Sequence, residues 1–264
     1  MIKQTTVTIP PMEPYDAKRG AVLLGSCFSE HISERMDKKG LDVLLNPFGV
    51  IFHPAPLSGV LRSALLENGV EEGLMRPVQD RWVYWLAGSR SSRNEKEELR
   101  QHLRTQLDTL HQHLSNAGML VITFGTAWGY RHVEKDVIVG NCFREKQQAF
   151  TKLMWSVEQI VEEWKETLSL LGERYPGLRV VFTVSPVRHW KDGPINNSRS
   201  KATLVLACAA LEKESNATYF PSYEIFMDEL RDYRYYREDG LHPNQEGVNV
   251  VWERFSSALK LSNL

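Results

Sequence analysis

The chain has 264 residues, 42% hydrophobic, 10% aromatic and 25% charged, ordinary usage for a globular protein able to fill a sizeable core. Its 32 basic and 33 acidic side chains leave a formal charge of -1, so no broad electrostatic attraction to nucleic acid or an anionic membrane is expected. No segment has the apolar length of a membrane span and the first residues lack a signal peptide's apolar run. Cys27, Cys142 and Cys208 show no metal-site spacing, so the expectation is a cytoplasmic protein with reduced thiols.

In chain order, "GAVLLGS" reads as a buried strand bounded by glycine, and Phe28, Ile32 and Met36 then mark one face of a helix ending near Gly40. "LDVLLNPFG" reads as a second buried strand broken at Asn46-Pro47, and Leu57, Leu61 and Leu65 form the stripe of a second helix. "LMRPVQDRWVYWLAGS" suggests a short strand or hairpin decorating the core, its "RWVYWL" aromatics read as exposed, on a pocket lid or a dimer contact. A polar helix is expected from about residue 94 to 115, followed by the strand and glycine of "GMLVITFGTAWGY" and a small β excursion in "HVEKDVIVGNCF".

From about residue 146 to 175 the spacing of Phe150, Met154, Val157, Val161, Trp164 and Leu168 predicts one long amphipathic helix. "LRVVFTVSPV" is a further buried strand, "SRSKATLVLACAALEKES" a helix, "ATYFPSYEI" a strand and turn, and "NQEGVNVVWERFSSALK" the closing helix. Apolar strands alternating with helices imply a single α/β domain over residues 1–264. The expected architecture is a three-layer α/β/α sandwich around a mostly parallel sheet of about five strands, with small β insertions. Sites in such sheets lie at the carboxyl ends of the strands, where Ser26, Gly49, Gly125 and Ser185 fall.

Ser26 sits between strand and helix, close to helix N-terminal N–H groups that favour an oxyanion; it is either a nucleophile or a cap that only starts the helix. A serine nucleophile needs a base within reach. Of the eight histidines, His102, His111 and His113 fall on a polar helix face, and His31 lies one turn past Ser26. His242 has the strongest claim, because Asp239 precedes it by three residues in "YREDGLHPNQEG" and a tight turn brings such a carboxylate against the ring.

These pieces, with "GSCFSEHI", "NPFGVIFHP", "TFGTAWGY", "VGNCF", "FTVSPVRHWKDG", "NNSRSKATL" and "YFPSYEIFMDELRDYRYYREDGLHPN", make the chain resemble the GSCFA-domain family, a branch of the SGNH or GDSL-like hydrolases. The resemblance covers residues 25 to 244 in the family's order. It implies a flavodoxin-like sandwich and a serine esterase with Ser26 as nucleophile, His242 as base and Asp239 as orienting acid. It also implies an oxyanion hole from the N–H groups of Ser26 and Gly49. In the third block, where many SGNH enzymes place an asparagine, this chain has Gly125-Thr126-Ala127-Trp128; Thr126 or Asn141 is then the substitute donor, with a turn role open for Gly49 and Asn141.

Arg188 and His189 either bind a substrate anion or tie down the long loop through Asn197. Cys27 rivals Ser26, since a thiolate beside a helix N-terminus is a good nucleophile; the expectation puts Ser26 in the cleft and Cys27 beneath the helix. The implied substrate is a short-chain acyl or O-acetyl ester, small or on a glycan. The implied chemistry needs no metal and no organic cofactor. The alternatives are a catalytically weak or inactive ligand-binding protein of the same fold, or an acyltransferase.

Overall fold

A computed structural model describes residues 5–66, 69–215 and 217–261. The first strand, β1 (Ala21–Gly25), leads into α1 (Phe28–Lys38), β2 (Val43–Leu45) and α2 (Pro54–Leu65). A hairpin of β3 (Met75–Val78) and β4 (Arg81–Tyr84) precedes α3 (Lys96–Asn116) and β5 (Met119–Phe124). Next come β6 (Trp128–His132), β7 (Val137–Ile138), β8 (Phe150–Met154), α4 (Val157–Arg174) and β9 (Arg179–Val184). The chain closes with α5 (Gly193–Glu214), β10 (Thr218–Phe220), the short α6 (Ser222–Glu224) and α7 (Gln245–Ala258).

Five strands form the parallel sheet in the order β10-β9-β5-β1-β2. Side chains alternate across it, as the two-residue strand period demands. Val22, Leu24, Leu120, Ile122, Phe124 and Phe182 join the core under α2 to α5. Ala21, Leu23, Val121, Val181 and Phe220 join the opposite core under α1 and α7. Two apolar faces on one sheet require two covering layers, and the result is the three-layer α/β/α sandwich. Among the described residues, no helix is long and apolar enough to cross a membrane.

The β insertions are the β3–β4 hairpin and a three-stranded antiparallel sheet, β7-β6-β8. Three expectations need correction here. The helix expected over 146–175 is a strand followed by a helix: Phe150 and Met154 lie in β8, paired with His132 and Trp128 of β6. The Phe150 ring packs edge-on to Trp85 and His132, and α4 starts only at Val157, where Ser156 and Gln159 form a reciprocal capping box. The "RWVYWL" aromatics are not an exposed lid, since Tyr84 and Trp85 are buried, Trp85 against His132 and Phe150 of this small sheet. Finally, β2 is half-buried rather than buried, because it is an edge strand.

Candidate active site

The carboxyl end of β1 is built around Gly25. Its φ of +131° suits glycine, and a Cβ there would lie 2.1 Å from the carbonyl oxygen of Thr123 on β5. The Gly25 N–H donates to Asn46 Oδ1 at 2.8 Å, which fastens the end of β2 against the end of β1. The chain then turns into α1 in two residues. Ser26 donates its N–H to Thr123 O at 3.1 Å, and its Oγ accepts the Phe28 N–H at 3.3 Å. Ser26 is 1% exposed, whereas Cys27 is partly exposed, the reverse of the expected burial of the pair. Ser26 lies against β5, where its N–H closes on Thr123 O directly after the turn at Gly25.

The second expected element sits at the end of β2. Asn46 (φ 41°) and Gly49 (φ 77°) frame a turn in which the Gly49 N–H donates to Asn46 O at 2.8 Å. The expected N–H donors of Ser26 and Gly49 are therefore already occupied by carbonyls. Asn46 Nδ2 is different: it is buried and carries no hydrogen bond.

In the third block the Thr126 hydroxyl accepts the Trp128 N–H and shares a hydrogen bond with Ser200, so it is held within the fold. Asn141 Oδ1 accepts the Phe143 N–H at 2.7 Å, the geometry of an Asx turn. Arg188 lies over the Tyr236 ring at 6.0 Å and reaches Met227 Sδ at 3.9 Å. The His189 N–H is held by Asn197 Oδ1 at 3.0 Å, the loop-tying geometry, while its ring meets Phe52 edge-on and leaves Nε2 buried without a partner. Burial, then the charges of Lys201 and His242, push His189 down to about 3, so its ring is neutral.

Asp239 and His242 form the pair that their spacing predicts. Asp239 Oδ2 meets His242 Nδ1 at 2.7 Å, and Oδ1 accepts the N–H groups of Leu241 and His242 at 2.8 and 2.9 Å. Those two backbone bonds, then the ring, hold the carboxyl at about 2. The carboxylate is ionised across the neutral range and fixes the proton on Nδ1, which leaves Nε2 as the basic atom. Among the described residues, no hydrogen bond joins His242 to Ser26.

The two chain ends nonetheless meet. Arg237 donates its N–H to His242 O at 2.8 Å and its Nε to Pro243 O at 3.2 Å, while Nη2 lies 3.4 Å from His31 Nε2 on α1. Arg35 of α1 donates to Asn249 Oδ1 of α7 at 2.7 Å. The histidines of α3 are elsewhere: His111 bonds Tyr175 and His113 bonds Thr109 O.

Lys201 was not among the expected site residues. It is 1% exposed, and its Nζ donates to Gly125 O at 2.7 Å and Ser185 O at 2.6 Å, bridging the carboxyl ends of β5 and β9. Burial pulls its pKa down to about 7, against the opposing pull of the Cys27 thiol. The signal was present in the sequence, because Asn197, Ser200, Lys201, Leu204 and Cys208 fall on one buried stripe of α5. A lysine on such a stripe has a partner inside the fold. Among the described residues, no cluster of three or more His, Cys, Asp or Glu side chains could hold a metal ion.

The GSCFA family model matches residues 21–255. No curated protein matches the chain. Among solved structures, a protein described as a GDSL-like lipase from Parabacteroides merdae is 14% identical, with 94% of this chain and 98% of that one covered and a TM-score of 0.47. A carbohydrate esterase family 3 protein from Talaromyces cellulolyticus is 11% identical, with coverages of 92% and 97% and a TM-score of 0.37. An acetyl esterase mutant holding an acetate ion is also 11% identical, with coverages of 92% and 100% and a TM-score of 0.39.

Proposed function

The chain belongs to the GSCFA family, and we propose that it hydrolyses short-chain acyl esters, O-acetyl groups on a glycan among them. The observation that carries this reading is the Asp239–His242 pair, set against the start of α1 through Arg237 and His31. His242 Nε2 is the general base. It takes a proton from a nucleophile in the β1–α1 turn, where the expected attacker Ser26 and its neighbour Cys27 stand side by side. The nucleophile adds to the acyl carbon, and the oxyanion rests on N–H donors around that turn. His242 then protonates the leaving alcohol, and water, deprotonated by the same ring, releases the acyl group.

A second reading, ligand binding without turnover, is favoured by one observation: the N–H groups of Ser26 and Gly49 are both committed to protein carbonyls. A panel of 4-nitrophenyl esters of increasing chain length separates the two. Hydrolysis fastest on the short esters and lost in His242→Ala supports the enzyme. Absence of turnover, with the esters' carboxylic acids raising the melting temperature, supports the binder.

A further inference from the structure

We propose that the attacking group is the Cys27 thiol rather than the Ser26 hydroxyl, so that the reaction runs through a thioester. This inference rests on the ester-hydrolase reading and names its nucleophile.

Ser26 has little left to offer a substrate. It is 1% exposed, its Oγ accepts one N–H, its own N–H is on Thr123, and its carbonyl accepts the Ser29 N–H at 2.9 Å. Cys27, one residue later, occupies the N-cap position of α1 with a partly exposed side chain. Among the described residues, its N–H is given to no carbonyl and lies against its own thiol, where a developing negative charge is stabilised. One residue thus presents both a nucleophile and an oxyanion donor at the positive end of a helix.

The face is the right one. Positions 27 and 31 lie one helical turn apart and share a side of α1. On that side His31 meets Arg237, whose N–H is fixed on the carbonyl of His242. The loop that carries the base therefore abuts the face that carries the thiol.

Two buried groups without partners point the same way. Asn46 Nδ2 is buried and unpaired while its Oδ1 holds the Gly25 N–H, which puts an unused amide donor beside the turn. His189 Nε2 is also buried and unpaired, close enough to feel the charges of Lys201 and His242. Buried polar atoms without partners are rare in folded proteins, and a substrate oxygen satisfies the Asn46 donor. Asn46 thus supplies, from the second block, the amide that the third block lacks.

Burial, then Glu30, raises the Cys27 pKa, while its own N–H, Lys201 and Arg237 pull it down. The resting thiol is protonated and needs the base. In the forward step the Sγ–H proton moves to His242 Nε2 as the S–C bond forms. The tetrahedral adduct then collapses, the ester C–O bond breaks, and the alkoxide leaves with the proton from Nε2. Water attacks the thioester carbonyl, giving its proton to Nε2; the C–S bond breaks and the proton returns to sulfur.

The test uses the full chain and 4-nitrophenyl acetate, with rapid acid quench and peptide mass spectrometry. Wild type and Ser26→Ala are expected to carry one acetyl group on Cys27, removed by neutral hydroxylamine. Cys27→Ala is expected to lose the adduct and at least about 10³-fold in turnover, with Cys27→Ser retaining a reduced rate. If deacylation outruns the quench, the turnover of Cys27→Ala decides alone. An acetyl group on Ser26, or Cys27→Ala turning over at the wild-type rate, overturns the thiol and leaves the hydrolase standing. Turnover indistinguishable between wild type and His242→Ala overturns the hydrolase reading and the thiol with it.

Discussion

Asp239 holds His242 at two points, its ring through Nδ1 at 2.7 Å and its backbone N–H at 2.9 Å. One carboxylate thereby sets both the tautomer of the imidazole and the conformation of the turn that presents it. The pair is half-exposed, with side-chain accessibilities of 40% for His242 and 44% for Asp239, so its worth lies in orientation rather than in stability.

Gly25 is the position where the fold and the site are most tightly joined. Gly25→Ala places a Cβ against Thr123 O in a backbone conformation that disfavours side chains, and a loss of about 3 kcal/mol or more is expected from strain and overpacking together. Gly49→Ala, whose Cβ would lie 3.3 Å from Gly88 Cα at φ 77°, is expected to lose only about 1–2 kcal/mol. Urea unfolding of the two variants checks the order; a Gly25→Ala protein as stable as wild type contradicts it.

Asn46→Asp keeps an oxygen for the Gly25 N–H and suits the left-handed conformation at 46, but replaces the unpaired amide donor with an acceptor. The expected result is a folded protein whose kcat falls by about 10²-fold or more. An unchanged kcat on 4-nitrophenyl acetate removes Asn46 from the oxyanion hole.

Lys201 links stability to pH. Folded, the amine gives up its proton near 7; unfolded, it keeps it to its ordinary value of 10.5. Between those values the unfolded chain binds more protons, so wild-type stability rises with pH relative to Lys201→Met. Below pH 7 both states hold the proton and the difference is flat. Urea midpoints for the two proteins across this window measure it, and a gap independent of pH contradicts the assignment.

Ser156→Ala removes the cap that starts α4 and is expected to cost about 1 kcal/mol, read as a lower urea midpoint with unchanged slope. No change in midpoint contradicts the capping role.

The parallel core was legible in the sequence because short apolar runs ending in glycine leave few alternatives for buried strands. The Asp239–His242 pair was legible for a related reason: the contact is local, closed by a three-residue turn. The order of burial at Ser26 and Cys27 was not. It belongs to the assembled strands, where β1 pairs with β5 at Thr123 and the Ser26 N–H closes on that residue, rather than to the stretch itself. The false helix over 146–175 came from Phe150 and Met154, whose four-residue spacing fits a helix stripe and also one face of a strand. The Ser156–Gln159 capping box was the overlooked boundary.

The most direct test of the Asp239–His242 machinery is a double-mutant cycle in kcat/KM on 4-nitrophenyl acetate. With His242 present, Asp239→Asn is expected to lower kcat/KM by about 10²- to 10⁴-fold. On the His242→Ala background, the same change is expected to do nothing further. An equal loss on both backgrounds contradicts the account, because Asp239 would then act on the fold rather than through the imidazole.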